Sequence, residues 1–171
     1  MSPDRISRTA PRARSIRVSP PPFQRFLDQH RDHVWRYLVA AVGRQAADDC
    51  FQETFLAALR AYPRLRPDSD LRAWVLTIAH RKAMDHHRAR ARAPVPVGAA
   101  PDAGAWQDAE PDGEVWARVA ALPGKQRTAL LLRYAGDLSH AQVAAALGCS
   151  EEAARRSAHE GLKKLRLEIT L

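Results

Sequence analysis

Acidic side chains are in short supply: 19 Asp and Glu face 27 Lys and Arg in 171 residues, giving a net charge of +8 and a pI near 10.3. That deficit points to an anionic partner, either nucleic acid or an acidic membrane surface. No apolar run approaches the ~18 residues that a membrane span needs, so membrane insertion is not expected. The stretch MSPDRISRTAPRARSIRVSPPP carries arginines with no apolar core behind them and does not read as a secretory signal. Cysteine is scarce as well. Cys50 and Cys149 stand alone without C-x-x-C spacing, which fits a cytoplasmic protein with two reduced, buried thiols rather than a redox or metal role. Sustained strand alternation is missing, and so are a Gly-rich phosphate loop and a nucleophile motif. His80, His86 and His87, with Asp85, invite a metal reading, but they spread too widely around one helix and lack the H-x-x-x-H spacing. Neither a metal site nor a cofactor is therefore expected, and an enzyme such as a metal-dependent hydrolase finds no paired carboxylates in a plausible pocket.

What is present is organised in blocks. Residues 1–22 hold five Arg and one acid, residues 23–92 thirteen cations and eight acids, and residues 115–171 nine cations and five acids. Between the basic blocks, residues 93–114 hold five acids and no cation. The expected organisation is a disordered basic tail (1–22), a first domain (23–93), a flexible acidic linker rich in Pro, Gly and Ala (94–113), and a second domain (114–171). Helices are expected over Phe23–Val42, stopped by Gly43, over Ala47–Tyr62, stopped by Pro63, and over Leu71–Arg92, capped by Asp70 or Ser69. Further helices are expected over Glu114–Leu122 and Gly124–Tyr134, then from a Ser139 cap through Leu147, and last after a Ser150 cap. The fold class is all-α.

Two helices joined by Leu147-Gly148-Cys149-Ser150 form a helix-turn-helix pattern. Gly148 takes the left-handed backbone that ends the first helix, and Ser150 caps the second, with Glu151 and Glu152 at its positive end. At 100° per residue, Ala154, Ala158, Gly161, Leu162 and Leu165 share one face of the last helix. Glu152, Arg155, Arg156, His159, Lys163 and Arg166 share the other, a face suited to a major groove. On the third helix, Leu71, Val75, Ile78, Ala79 and Ala83 form the apolar face, while Trp74, Arg81, Arg88 and Arg92 line another sector. An aromatic above a row of arginines suits single-stranded or distorted DNA, and a structural Trp wedged against a neighbour is an equal alternative. Asp85 shares that sector and pairs with Arg81 or Arg88. On the second helix, Phe51, Phe55, Ala58, Leu59 and Tyr62 are expected to be buried. Asp49, Glu53, Leu56 and Arg60 stand together outside, an apolar residue ringed by charge, as on a protein docking face.

The segment DDCFQETFLAALRAYPRLRPDSDLRAWVLTIAHRKAMDHHRARAR resembles domain two of a bacterial sigma factor of the extracytoplasmic-function (ECF) type, within the sigma-70 family. LPGKQRTALLLRYAGDLSHAQVAAALGCSEEAARRSAHEGLKKLR resembles its domain four. The resemblance implies a protein that joins core RNA polymerase and directs it to promoters. The segment Asp48-Asp49-Cys50-Phe51-Gln52-Glu53-Thr54-Phe55 would dock on the β′ clamp, giving Asp49, Gln52, Glu53, Leu56 and Arg60 as the polymerase face. The third helix and the loop before it would capture the −10 element through Arg64, Arg66, Trp74, Arg81, Arg88 and Arg92. The last helix would read the −35 element through Glu152, Arg155, Arg156, His159 and Lys163. The implied partners are core polymerase (β′ clamp and β subunits), promoter DNA and, as an option the short linker permits, an anti-sigma factor. Two departures bear on base preference. His80-Arg81 stands where the family often has Arg-Asn, and Ala153-Ala154-Arg155-Arg156-Ser157 stands where it often has Thr-Val-Lys-Ser-Arg. The competing reading is a stand-alone helix-turn-helix regulator, which leaves the docking-like face of the second helix without a purpose.

Overall fold

The computed structural model describes residues 20–92 and 113–169, all of whose regular structure is helical. The expected linker, apart from Gly113, and the basic tail, apart from its last prolines, lie outside the described residues. The helices are α1 (Phe23–Val42), α2 (Arg44–Ala61), α3 (Leu71–Arg92), α4 (Gly113–Ala121), α5 (Gly124–Tyr134), α6 (His140–Leu147) and α7 (Glu151–Ile169), with a 3₁₀ turn at Tyr62–Arg64 after α2. None of these helices is long and apolar enough to cross a membrane.

α1, α2 and α3 pack against one another in pairs, and α5, α6 and α7 form the second half, with α4 against α7. Gly43 serves both α1 and α2. At φ 81° it closes α1 through its N–H to Val39 O and accepts from Ala47 N at 3.0 Å. A left-handed φ of that kind favours glycine over any residue with a Cβ. α2 accordingly starts at Arg44, a turn earlier than expected. Asp70, rather than Ser69, caps α3, its carboxylate accepting from Ala73 N at 3.0 Å. Phe26, Phe55, Tyr62 and Trp74 gather in an aromatic cluster, with the Phe26 ring 5.1 Å from Tyr62 and 5.7 Å from Trp74. The Tyr62 hydroxyl donates to Pro21 O at 2.6 Å and ties the end of α2 to the approach to α1.

Small residues are prominent in the core. Among the described residues ten of its buried members are alanines, from Ala40 and Ala41 in α1 to Ala154 and Ala158 in α7. Small side chains let helix axes approach closely, so packing tolerates little added volume.

Three sequence expectations about burial are corrected. Leu59 is 49% exposed, because the buried stripe of α2 runs through Ala47, Cys50, Thr54, Phe55 and Ala58. Thr54 fits there because its hydroxyl donates to Cys50 O at 2.6 Å, which satisfies the only polar atom its side chain brings into the core. Cys149 is exposed, since it sits in the turn between α6 and α7, whereas Cys50 is buried. On α3, Leu76 is fully buried while Ile78 is only half-buried.

Leu76 is buried because the two halves touch. α3 contacts α6 and α1 contacts α5. Arg72 Nη1 lies 2.7 Å from Asp137 Oδ2 and also donates to Asp137 O at 3.3 Å. The Gln142 amide of α6 donates to the Asp70 carboxylate at the start of α3. A Cβ at Gly136 would stand 3.1 Å from Leu76 Cδ1 and 2.8 Å from Leu132 O. Gly136→Ala is therefore expected to destabilise the chain by about 1–3 kcal/mol, as overpacking does. A thermal melt should show a Tm several degrees below the parent, and an unchanged Tm would mean that the halves do not meet at Leu76.

Candidate nucleic-acid and protein interfaces

The turn from α6 to α7 is built as its residues dictate. Ser139 and Gln142 form a capping box, with Gln142 N donating to Ser139 Oγ at 3.2 Å and Ser139 N to Gln142 Oε1 at 2.6 Å. Gly148 adopts φ 64°, ψ 38°, and Cys149 N returns to Ala144 O at 3.1 Å. Ser150 Oγ accepts from Ala153 N at 3.2 Å and starts α7. Ala154, Ala158, Gly161 and Leu165 are buried, with Leu162 half-buried beside them. Gly161 lies close under α5, where a Cβ would meet Leu130 Cδ1 at 3.3 Å. This close approach turns the opposite face outward. Glu152, Arg155, Arg156, His159, Lys163 and Arg166 are all exposed. Arg155 and Arg156 are held extended by i,i+4 pairs to Glu151 (2.8 Å) and Glu152 (2.7 Å). Such exposed pairs contribute only a few tenths of a kcal/mol, so a stronger anion displaces them readily.

α3 and the loop before it carry the second basic surface. Arg64, Arg66, Arg81, Arg88 and Arg92 are exposed. Arg66 makes two hydrogen bonds to Asp68, at 3.2 and 3.1 Å, and Arg88 pairs with Asp85 at 3.0 Å, one of the two partners expected. Trp74 differs from these. Its ring packs on Phe26 and Tyr62 and is half-buried, so the structure sets it in the core's aromatic cluster rather than in the row of arginines.

α2 presents the third surface. Asp49, Gln52, Glu53, Leu56 and Arg60 are all exposed on it, Leu56 by 53%, and Leu59 extends its apolar area. Glu53 also bonds Lys82 of α3 at 3.1 Å, so it is anchored at one edge. A strict helical stripe places Leu59 inward, but the buried Thr54 shows that the stripe is rotated and leaves Leu59 outside.

Two histidines of α3 meet partners on α1. His80 Nδ1 lies 3.0 Å from the Tyr37 hydroxyl, and a His87 ring nitrogen lies 2.9 Å from Ala41 O. His86 stands beside His87, ring centres 5.9 Å apart. Among the described residues no three His, Cys, Asp or Glu side chains converge on a metal position. Burial lowers the pKa of His80, with Arg81 and Arg88 adding to it. Burial also lowers His87, with Arg127 across the seam adding to it. His30 and His33 on α1 are lowered by burial and then by Arg72, and their Nδ1 atoms are buried with no hydrogen-bond partner among the described residues. For Asp70, burial pushes the carboxyl up, but bonds from Ala73 N–H and Gln142 outweigh it and hold the pKa below the usual range.

Comparison with known proteins places this chain in a family. The model for Sigma-70 region 2 matches residues 26–93, and the model for Sigma-70 region 4 matches residues 112–165. The chain is 38% identical over 130 residues to ECF RNA polymerase sigma factor SigC of Mycobacterium tuberculosis, covering 72% of this chain and 70% of that protein. It is 35% identical over 158 residues to ECF RNA polymerase sigma factor SigD of the same species, covering 84% and 74%. Sigma factor RpoE of Bartonella quintana, solved with the anti-sigma factor NepR, shares the fold at a TM-score of 0.72 and 19% identity, over 87% of this chain and 97% of that one. The chain belongs to the extracytoplasmic-function group of the sigma-70 family. It is an alternative sigma factor, a protein of transcription initiation. The stand-alone regulator reading is not favoured, since the first half is itself a sigma region rather than an accessory fold.

The four lowered histidines set a pH dependence. The unfolded chain takes up protons near the ordinary histidine value of 6.5, while the folded chain resists until lower pH. Below 6.5 the unfolded state binds more protons, so stability is full above that value and falls as the pH drops through it. Urea melts between pH 7.5 and 5.5 (about one unit either side of the unfolded value) should show steadily falling midpoints. Midpoints that rise on acidification would mean that these rings are charged in the fold.

Proposed function

We propose that this chain joins core RNA polymerase through the exposed face of α2 and guides it to promoters by two separate readers, α3 with its preceding loop at the −10 element and α7 at the −35 element. The observation that carries this reading is the sorting of α7. One face is small and buried, the other wholly exposed and cationic, at the position where a helix-turn-helix delivers its second helix to a major groove. On α7, Arg156 and Arg155 are the base-edge candidates, Lys163 and His159 reach the backbone, and Glu152 holds Arg156 until DNA replaces it. At the −10 element, Arg64, Arg66, Arg81, Arg88 and Arg92 supply phosphate contacts. Trp74 supplies a fixed ring edge, because its neighbours hold it in place.

At the polymerase, Leu56 and Leu59 give the docking face of α2 its apolar centre, and Asp49, Gln52, Glu53 and Arg60 give it a polar rim. The two family matches fall on the same two halves, and the segment between them, residues 94–111, with three acids and no cation, suits a nucleic-acid channel until RNA displaces it. The function so described needs no catalytic step, metal or cofactor from this chain, and its place is with the polymerase in the cytoplasm. An anti-sigma factor is a further partner of this kind of chain, as in the RpoE–NepR pair.

Asp49→Lys is the cleaner test of docking, because Asp49 is exposed and, unlike Glu53, makes no ion pair with α3. Pull-down on purified core polymerase should weaken about tenfold or more with Asp49→Lys, with the melt of the variant near that of the parent. Undiminished capture would remove α2 from the interface. Arg156→Ala should cost about 1–3 kcal/mol of discrimination at one −35 base pair, read by run-off transcription across promoter variants. An equal loss on every variant would make Arg156 a phosphate contact instead.

A further inference from the structure

A cleft of about 720 Å³ lies between the two halves, with His80 and Met84 of α3 on one side and α5, α7 and the turn before α7 on the other. Its size is that of a site for a small molecule. Three cations line it, Lys125, Arg127 and Arg156, and no carboxylate does. These cations are held in different ways. Arg127 Nη1 donates to Ala120 O at 2.6 Å, which fixes the guanidinium without neutralising it. Arg156 is paired only with the exposed Glu152, and Lys125 is exposed with no ion pair among the described residues. Thr128 adds a hydroxyl, and Met84 adds an apolar surface. Burial disfavours a charge on His80, whose Nδ1 shares a hydrogen bond with the Tyr37 hydroxyl at 3.0 Å. With three like charges on the α5–α7 wall and no carboxylate lining the cleft, the balance is left to an anion from outside.

We propose that this cleft binds a small organic phosphate, of the size of a nucleotide, whose phosphate is met by Lys125, Arg127 and Arg156 and whose body lies against Met84. Two consequences follow from the walls. They come from both halves, so the ligand holds the halves together. Arg156 is one of them, so a bound ligand withdraws that side chain from the −35 element. The second consequence rests on the promoter reading given above; the first does not.

The probe is ADP, titrated calorimetrically into the full-length protein with neither polymerase nor DNA present, so the outcome is independent of whether the promoter reading holds. Saturable binding of one ADP per chain is expected. Lys125→Glu should weaken it about tenfold or more, since a phosphate loses a charged partner and meets a carboxylate. Lys164→Glu makes the same change in net charge at an exposed site on α7 away from the cleft, and should change binding less than about twofold. Inorganic pyrophosphate should bind more weakly than ADP, because it lacks a body to lie on Met84. Equal losses in the two lysine variants would reduce the effect to diffuse attraction and overturn the proposal. So would equal binding of ADP and pyrophosphate. The same cations also suit a phosphate of duplex DNA. If ADP shows no saturable binding while a random-sequence duplex loses affinity in Lys125→Glu, the cations belong to the DNA backbone and the small-molecule site does not exist.

Discussion

The burial of Leu76 depends on contacts from two directions at once. α3 packs on α1 and α2 along one edge and meets α6 along another, and Leu76 is fully enclosed where Gly136 lets the second half come close. With two edges buried, only part of the helix circumference remains for solvent, and the exposed arginines are confined to it. The polar links at the seam, Arg72 to Asp137 and Gln142 to Asp70, are exposed and contribute little by themselves. They set the register of the contact while the apolar packing supplies its strength. Because Asp70 also caps α3, the loop before that helix and the first helix of the helix-turn-helix share a single carboxylate.

Charge is handled differently inside and outside. At the seam, the half-buried histidines His80 and His87 sit beside arginines, and burial disfavours a charge on either ring. On α7 and in the loop before α3, arginines are paired in advance with carboxylates one helical turn or two residues away. Such a pair costs little to break in water. It also keeps a long side chain extended, so less rotamer freedom is lost when a nucleic acid takes the carboxylate's place.

Much of this was legible in the chain. The bounds of α1, α3 and α5 follow from glycine, proline and capping residues, and the turn at Gly148 follows from four consecutive residues. The two faces of α7 also follow, since a helix buried on a single side leaves a clean period. What escaped is whatever depends on a partner distant in sequence. Leu76 breaks the single-face pattern of α3 because its second neighbour lies about sixty residues further on. Leu59 falls on the apolar stripe of Phe51, Phe55, Ala58 and Tyr62, but the buried stripe runs through Thr54, whose bond to Cys50 O lets it sit in the core. Cys149 was expected to be buried as a typical small thiol, but the turn it occupies has no neighbour to cover it. The cleft is invisible to sequence for the same reason, as its cations come from α5 and α7 and its opposite wall from α3.

The alanine-built core has an evolutionary consequence. A core of large side chains fails mainly when atoms are removed, whereas one resting on ten alanines fails when atoms are added, because helices already in contact have nowhere to retreat. Nearly every single substitution at those positions adds volume, so drift there is closed off and must accumulate on the outer faces. Those faces are the ones that read DNA and meet partners. Lineages descended from such a chain would keep their architecture while their target sequences diverge, so that closely similar scaffolds come to serve unrelated sets of genes.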